Sequence, residues 1–226
     1  MHAMLDSDYR ILGGIVPSTP TQLGRPVGAR SDETRRRILT ATMRCVAEVG
    51  YSGATIREIA RTAEITSGTL YHYFPNKGEL VRAAFADIAE VSLPRLAAAA
   101  DGVDGALDKL MAVLDEGATL VRENPYAVAF DRALRSEGAT HLRLDEDSDL
   151  IFVSLRQVVA GIVEQARSEG ILHADADADG TTDAIFSMIR GLYDHAATAT
   201  PEQYAATHHA IGLLLRGSLF DGTRPA

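Results

Sequence analysis

An all-α chain is the fold class this sequence predicts, and three observations predict it. Val, Ile and Thr never alternate with polar residues over a strand length. Apolar residues recur at helical spacing from Ile38 to Leu215. Thr55, Thr66, Asn76 and Thr200 stand where helix starts need a side chain to cap free amides. Together these give roughly nine helices.

Residues 1–30 carry Gly13, Gly14, Pro17, Pro20, Gly24, Pro26 and Gly28 without periodicity and are expected to form a flexible arm. Order is expected from Ser31, where a first helix sets Ile38, Leu39, Thr42, Cys45, Val46 and Val49 on one face and stops at Gly50. Thr55-Ile56-Arg57-Glu58 reads as a capping box for a short second helix ending near Thr62. Thr66 caps a third running through Tyr73, and Asn76-Lys77-Gly78-Glu79 opens a fourth that reaches about Ala100, with Pro94 expected to bend it or end it early. Leu107, Leu110, Met111, Leu114, Ala118 and Val121 stripe the next helix, and Asn124-Pro125 separates it from its successor. Leu150 to Ala166 is apolar on much of its circumference and predicts a central buried helix stopped by Gly170. A helix from about Gly180 to Thr198 follows, and Thr200-Pro201-Glu202-Gln203 starts the last.

Among 226 residues, 46% hydrophobic and 23% charged, nothing marks a disordered, collagenous or membrane chain. The lone cysteine, Cys45, excludes an intrachain disulfide, a Cys-rich zinc site and a Cys-x-x-Cys redox pair. Met1 to Pro17 contains Asp6 and Asp8 and lacks the basic start and apolar run of a secretory signal, and Gly, Asp, Arg and Pro interrupt every candidate membrane span. The expected home is the cytoplasm. The net charge of −9 is uneven: Arg25 to Arg82 holds 10 Lys+Arg against 6 Asp+Glu, net +4, whereas the chain from Ala83 holds 11 against 23, net −12. A basic segment before an acidic body predicts two units with different partners, the first suited to a phosphate backbone.

The chemistry concentrates between Thr55 and Leu80. A short helix, a tight turn and a second short helix displaying Thr66, Ser67, Gly68 and Thr69 in its first turn is the layout of a helix-turn-helix, which lays a recognition helix in a DNA major groove. Ile59, Ala60, Ala63, Ile65 and Leu70 are expected to face inward, leaving Thr69, Tyr71, His72 and Tyr73 outside, where so many rings are costly unless they meet a partner. Lys77, opening the next helix, offers a charge and free amides to a phosphate.

The pattern T-x-x-x-I-A-x-x-A-x-I-x-x-G-T-L-Y-x-Y-F-x-x-K-x-x-L, within a match from about Glu33 through Leu80, resembles the TetR family of bacterial one-component transcription regulators. The resemblance implies a three-helix DNA-binding domain, a connecting fourth helix and a C-terminal body whose last two helices pair with a second subunit. It implies phosphate contacts from Thr55, Tyr71, Tyr73 and Lys77, base-edge positions for Arg57, Ser67, Thr69 and His72, and Phe74 as a plug in the small core. The expected domains are thus an arm over 1–30, a helix-turn-helix domain over 31–80 and an effector-binding and dimerisation body over 81–226. The arm is longer than the family needs, and a disordered arm is preferred over one whose Arg25 and Arg30 reach a minor groove.

Other features carry duller readings. Asp175, Asp177, Asp179 and Gly180 mimic a calcium loop, but Phe186 stands where a bidentate glutamate is needed, so an acidic turn feeding a helix is preferred. Adjacent His208 and His209 cannot share a helical face, and His141, His173 and His195 are dispersed; no metal site and no cofactor are expected. Cys45 reads as a small buried hydrophobe. Asp131, Arg132 and Arg135 form either a surface ion network, the preferred reading, or polar contacts to a ligand.

The expected function is a dimeric repressor on double-stranded DNA, released from a pseudo-palindromic operator by a small apolar or amphipathic effector. Met111, Leu114, Phe130, Phe152, Leu155, Val159 and Met188 are the candidate effector wall, and Ile185, Met188, Gly191, Leu192, His208, Ile211, Gly212 and Leu215 the candidate dimer face. The alternative is an all-α carrier or enzyme without DNA binding. The catalytic motifs Gly-x-Ser-x-Gly, His-Glu-x-x-His and a phosphate loop are absent from the sequence, so no enzyme is expected.

Overall fold

The computed structural model describes residues 27–137 and 144–217, with side chains over 30–137 and 151–217. Its described residues form α1 (Val27–Gly53), α2 (Ile56–Thr62), α3 (Ser67–Tyr73), α4 (Lys77–Asp101), α5 (Ala106–Glu123), α6 (Pro125–Ser136), α7 (Leu144–Ser168), α8 (Ala178–Ala196) and α9 (Pro201–Leu215), with no strand among them. The expected arm lies outside the described residues up to position 26, and α1 begins at Val27 rather than at Ser31.

The caps act where local chemistry predicts. Thr55, Thr66 and Asn76 accept from the amides of Glu58, Thr69 and Glu79 at 3.2, 3.1 and 2.9 Å. Among the described caps only Thr200 with Gln203 closes a reciprocal box; Glu58 and Glu79 pair instead with Arg61 and Arg82. Asp177 caps α8 by accepting from the Gly180 amide at 2.6 Å, so the acidic turn feeds a helix.

A first core gathers Ile38, Leu39 and Val46 of α1, Ile59 of α2, Leu70 of α3 and Leu80 of α4, all 0% exposed, and continues into Phe130 and Leu134 of α6. Phe74 plugs its edge and Cys45 is buried in it, its thiol 3.5 Å from the Thr62 hydroxyl. Two smaller cores join α4, α5, α7, α8 and α9. The shared core sets α6 directly on α1, and α4 packs on α1, α5 and α7. Motion of α4 or α6 is therefore felt by the helices that hold α3.

Three expectations change. Pro94 does not end α4, which runs on to Asp101. Leu96 and Ala100 beyond it are buried, and Arg95 pairs with Glu116 and Glu123 of α5, so tertiary contacts hold the last two turns despite the missing amide. Val49 is 53% exposed, off the packed face of α1. α7 is not wrapped: Val153, Gln157 and Gly161, successive along one face, are exposed, because α4, α5 and α8 cover only its other sides.

Candidate functional site

α2 and α3 cross through a turn in which Glu64 adopts a left-handed backbone, φ 55°. The guanidinium of Arg37 on α1 donates to the carbonyls of Ala63 and Glu64, which closes that turn without glycine. Ile59, Ala60, Ala63 and Leu70 are buried between the helices and Ile65 is half-buried, which fixes the outward face of α3. On that face Gly68, Thr69, Tyr71 and His72 are exposed, Ser67 and Tyr73 are half-buried, and the cap Thr66 shares a 2.9 Å hydroxyl contact with Thr69. Thr55 and Arg57 at the start of α2 are exposed beside them. Tyr71 is 53% exposed, a large ring left in water. The Tyr73 hydroxyl instead lies 3.4 Å from Ser31 of α1, and its ring packs on the first core.

Lys77 stands differently from a free cation. Its ammonium donates to the carbonyls of Tyr51 and Ala54 at 2.8 and 3.0 Å and lies 4.1 Å from the centroid of the Tyr51 ring, and burial lowers its pKa. The side chain thereby fastens the start of α4 to the corner between α1 and α2. Glu137, capping the C-terminus of α6, grips the same corner: its carboxylate accepts from the Ser52 amide at 2.8 Å and the Ser52 hydroxyl at 2.7 Å, bonds that lower its pKa. The corner depends on Gly50, whose φ of 76° and ψ of 168° are essentially closed to other residues. A Cβ there would stand 2.0 Å from Glu137 Oε1. Gly50→Ala should therefore destabilise the chain by about 1–3 kcal/mol through backbone strain alone. Adding Glu137→Ala should restore part of the loss by removing the clash, a non-additivity that chemical denaturation of the two single variants and the double variant measures.

Between α4, α5, α6, α7 and α8 lies a cavity of about 140 Å³. Ile88, Val91 and Leu96 of α4, Val113 and Leu114 of α5, Val128 of α6, Phe152 and Leu155 of α7 and Phe186 and Ile189 of α8 make it mainly apolar, and Met43 of α1 closes one side. Its polar lining includes Asp87, held to Arg35 at 3.6 Å, and a group on α6 and α8: Asp131, Arg190 and Tyr193. Asp131 is 2% exposed, which corrects the surface reading of the Asp131, Arg132, Arg135 group; only the two arginines stay exposed. Burial raises the Asp131 pKa, opposed by Arg135, which donates to Oδ2 from Nε and Nη2 at 3.1 and 2.9 Å and also reaches Asp194 of α8 at 2.6 Å. Burial, and then the Asp131 charge, push the Tyr193 phenol well above its usual range.

Of the expected wall, Leu114, Phe152 and Leu155 line this cavity. Phe130 and Val159 are 0% exposed and stand elsewhere: the Phe130 ring stacks on Phe85 at 4.9 Å in the first core. Met111 packs against the third core beside Gly212, and Met188 is half-buried outside the lining. Of the expected dimer face, Leu192 and Gly212 are buried inside the chain, and Ile185, Ile211 and Leu215 pack on its own cores. His208 lies 3.2 Å from Asp115 of α5, and Gly191 is exposed. Arg190, Tyr193 and Gly117 are cavity residues that sequence reasoning missed. A charge at Arg190 four residues after Phe186, inside an apolar run of α8, was the available signal.

The first part of the chain, residues 38–84, matches the family model of bacterial regulatory proteins, tetR family. The HTH-type transcriptional regulator PksA of Bacillus subtilis (strain 168) is 28% identical over 169 residues, covering 73% of this chain and 79% of PksA. Among solved structures, the transcriptional regulator FadR of Bacillus subtilis in complex with stearoyl-CoA superposes with a TM-score of 0.70 at 20% identity, over 82% of this chain and 99% of FadR. AibR in complex with isovaleryl coenzyme A and operator DNA superposes with a TM-score of 0.64 at 18% identity, over 80% of this chain and 97% of AibR. No described helix is long and apolar enough to cross a membrane. Residues 38–84 thus carry the helix-turn-helix segment of the tetR family of bacterial regulatory proteins, and the all-helical body behind it shares the fold of the FadR and AibR structures.

Proposed function

We propose that the chain is a dimeric repressor whose operator affinity falls when a small apolar or amphipathic molecule enters the cavity. Thr66, Ser67, Gly68, Thr69 and His72 of α3 and Arg57 of α2 meet the major groove, while Thr55, Tyr71, Tyr73 and the first turn of α4 at Lys77 meet phosphates. With the Lys77 ammonium bound to two carbonyls, its contribution comes through the amides of that turn and through the fixed corner. Two copies spaced about 34–36 Å apart then read a pseudo-palindrome. The partner subunit docks on the outer faces of α8 and α9, where Ala184, Ser187, Gly191 and Ala206 are exposed beside Leu214, 49% exposed, small enough for a facing helix to approach closely. Stearoyl-CoA on FadR and isovaleryl coenzyme A on AibR support the effector reading.

The observation that carries the effector reading is the position of the cavity. Its walls include α4, α6 and Met43 of α1, elements that share the first core with Leu70 of α3. An occupant that favours a wider wall must weaken DNA binding by the same factor by which DNA weakens the occupant. Gly117 lines the cavity, and a Cβ there meets nothing within 4 Å, so Gly117→Leu fills the space without a ligand. The variant should melt higher than the wild type, gaining helix propensity and burial, and bind operator roughly tenfold more weakly. Unchanged or tighter binding by fluorescence anisotropy would contradict release by cavity filling.

A further inference from the structure

The cavity holds a matched pair of unused hydrogen-bonding atoms. Asp131 Oδ1 and Arg190 Nε are both buried without a hydrogen-bond partner, and both residues line the cavity. Arg135 occupies only Oδ2 of Asp131, leaving one carboxylate oxygen aimed elsewhere. The Arg190 guanidinium carbon sits 3.5 Å from the centroid of the Phe152 ring, and the Tyr193 ring meets the same phenylalanine edge-on at 5.8 Å. Arg135 also binds Asp194, which pins α6 to α8 across this end. The unused acceptor and donor are therefore held by fixed neighbours, and an unmet buried polar atom is a cost that a ligand can remove.

We infer that this pair is the recognition point for the effector, and that the effector is a neutral molecule whose apolar body ends in an alcohol or amide. The inference rests on the cavity being the effector site. A hydroxyl or a primary amide donates to Asp131 Oδ1 and accepts from Arg190 Nε together. A carboxylate satisfies Arg190 but sets a second negative charge against Asp131; an ammonium satisfies Asp131 but faces the guanidinium. Asp131 and Asp194 balance Arg135 and Arg190 formally, so only a neutral group leaves the desolvated end without net charge. The body is compact: an apolar cavity of about 150 Å³ takes a benzene ring, this one is about 140 Å³, and the polar tail beyond the ring widens the wall as release requires.

Four compounds sharing one body test the inference on the full-length protein: phenethyl alcohol, phenylacetamide, phenylacetate and phenethylamine, followed by thermal shift and calorimetry. The alcohol and the amide should bind, with the carboxylate and the amine roughly tenfold weaker. Asp131→Asn, which keeps the shape and removes the charge, should admit the carboxylate, and Arg190→Met should abolish the preference for alcohol and amide. The inference is overturned if the carboxylate or the amine binds best to the wild type, if Asp131→Asn leaves the order unchanged, or if no compound binds. Operator binding measured on the same preparations separates the two levels. A wrong order together with weakened operator binding by Gly117→Leu defeats only the recognition pair, whereas unchanged operator binding in that variant defeats the effector reading itself.

Discussion

Phe130→Ala should cost about 3–5 kcal/mol of stability and lower the melting temperature by about 6–20 °C. Phe130 is 0% exposed, stacks on Phe85 of α4 at 4.9 Å, and belongs to the core that includes Ile38, Leu39 and Val46 of α1. Its removal opens a hole where α6, α4 and α1 meet. Phe152→Ala is the control, because its ring is half-buried and borders space that is already open, so its loss should be distinctly smaller. Differential scanning calorimetry of the two variants decides the matter: equal losses would show that Phe130 borders the cavity rather than the core.

Alanine at both Tyr71 and His72 should remove sequence-specific DNA binding and leave the fold untouched. Both side chains are exposed on α3, and the His72 ring packs only edge-on against Tyr73 at 5.9 Å. Exposed positions of this kind change stability by about 0.5 kcal/mol or less. Each contact to DNA is worth about 1–3 kcal/mol, so losing two should weaken operator binding by about 2–6 kcal/mol, roughly thirtyfold to twenty-thousandfold. Anisotropy titrations paired with melting curves check both halves. A variant that melts like the wild type and binds operator equally well would remove α3 from the interface.

What could be read in the sequence followed the range of the physics. Helix starts are local events, and Thr55, Thr66, Asn76 and Thr200 cap where a four-residue window says they should. The buried seam of α2 and α3 was legible for the same reason, because a tight turn leaves little choice of facing side. Direction in the body was not. α5 and α8 carry apolar residues on several sides, so periodicity could not tell that Leu114 faces the cavity while Met111 faces α9, or that Leu192 points into the chain. Charges misled where their partners are distant in sequence. Asp131 looked like surface until Asp194 and Arg190, about sixty residues later, came to share its surroundings. Lys77 looked free because Tyr51 and Ala54, whose carbonyls it holds, are 26 and 23 residues away.

The central claim, a DNA-reading head on an acidic helical body, is tested most directly by anisotropy of the wild-type protein on duplex DNA from upstream of its own gene. Scrambled duplex serves as competitor and salt is varied. The account predicts preference for the upstream sequence and an affinity that falls linearly with salt on a double-logarithmic plot, by roughly 0.9 per phosphate contact. Binding that is absent, or indifferent to both sequence and salt, would contradict it.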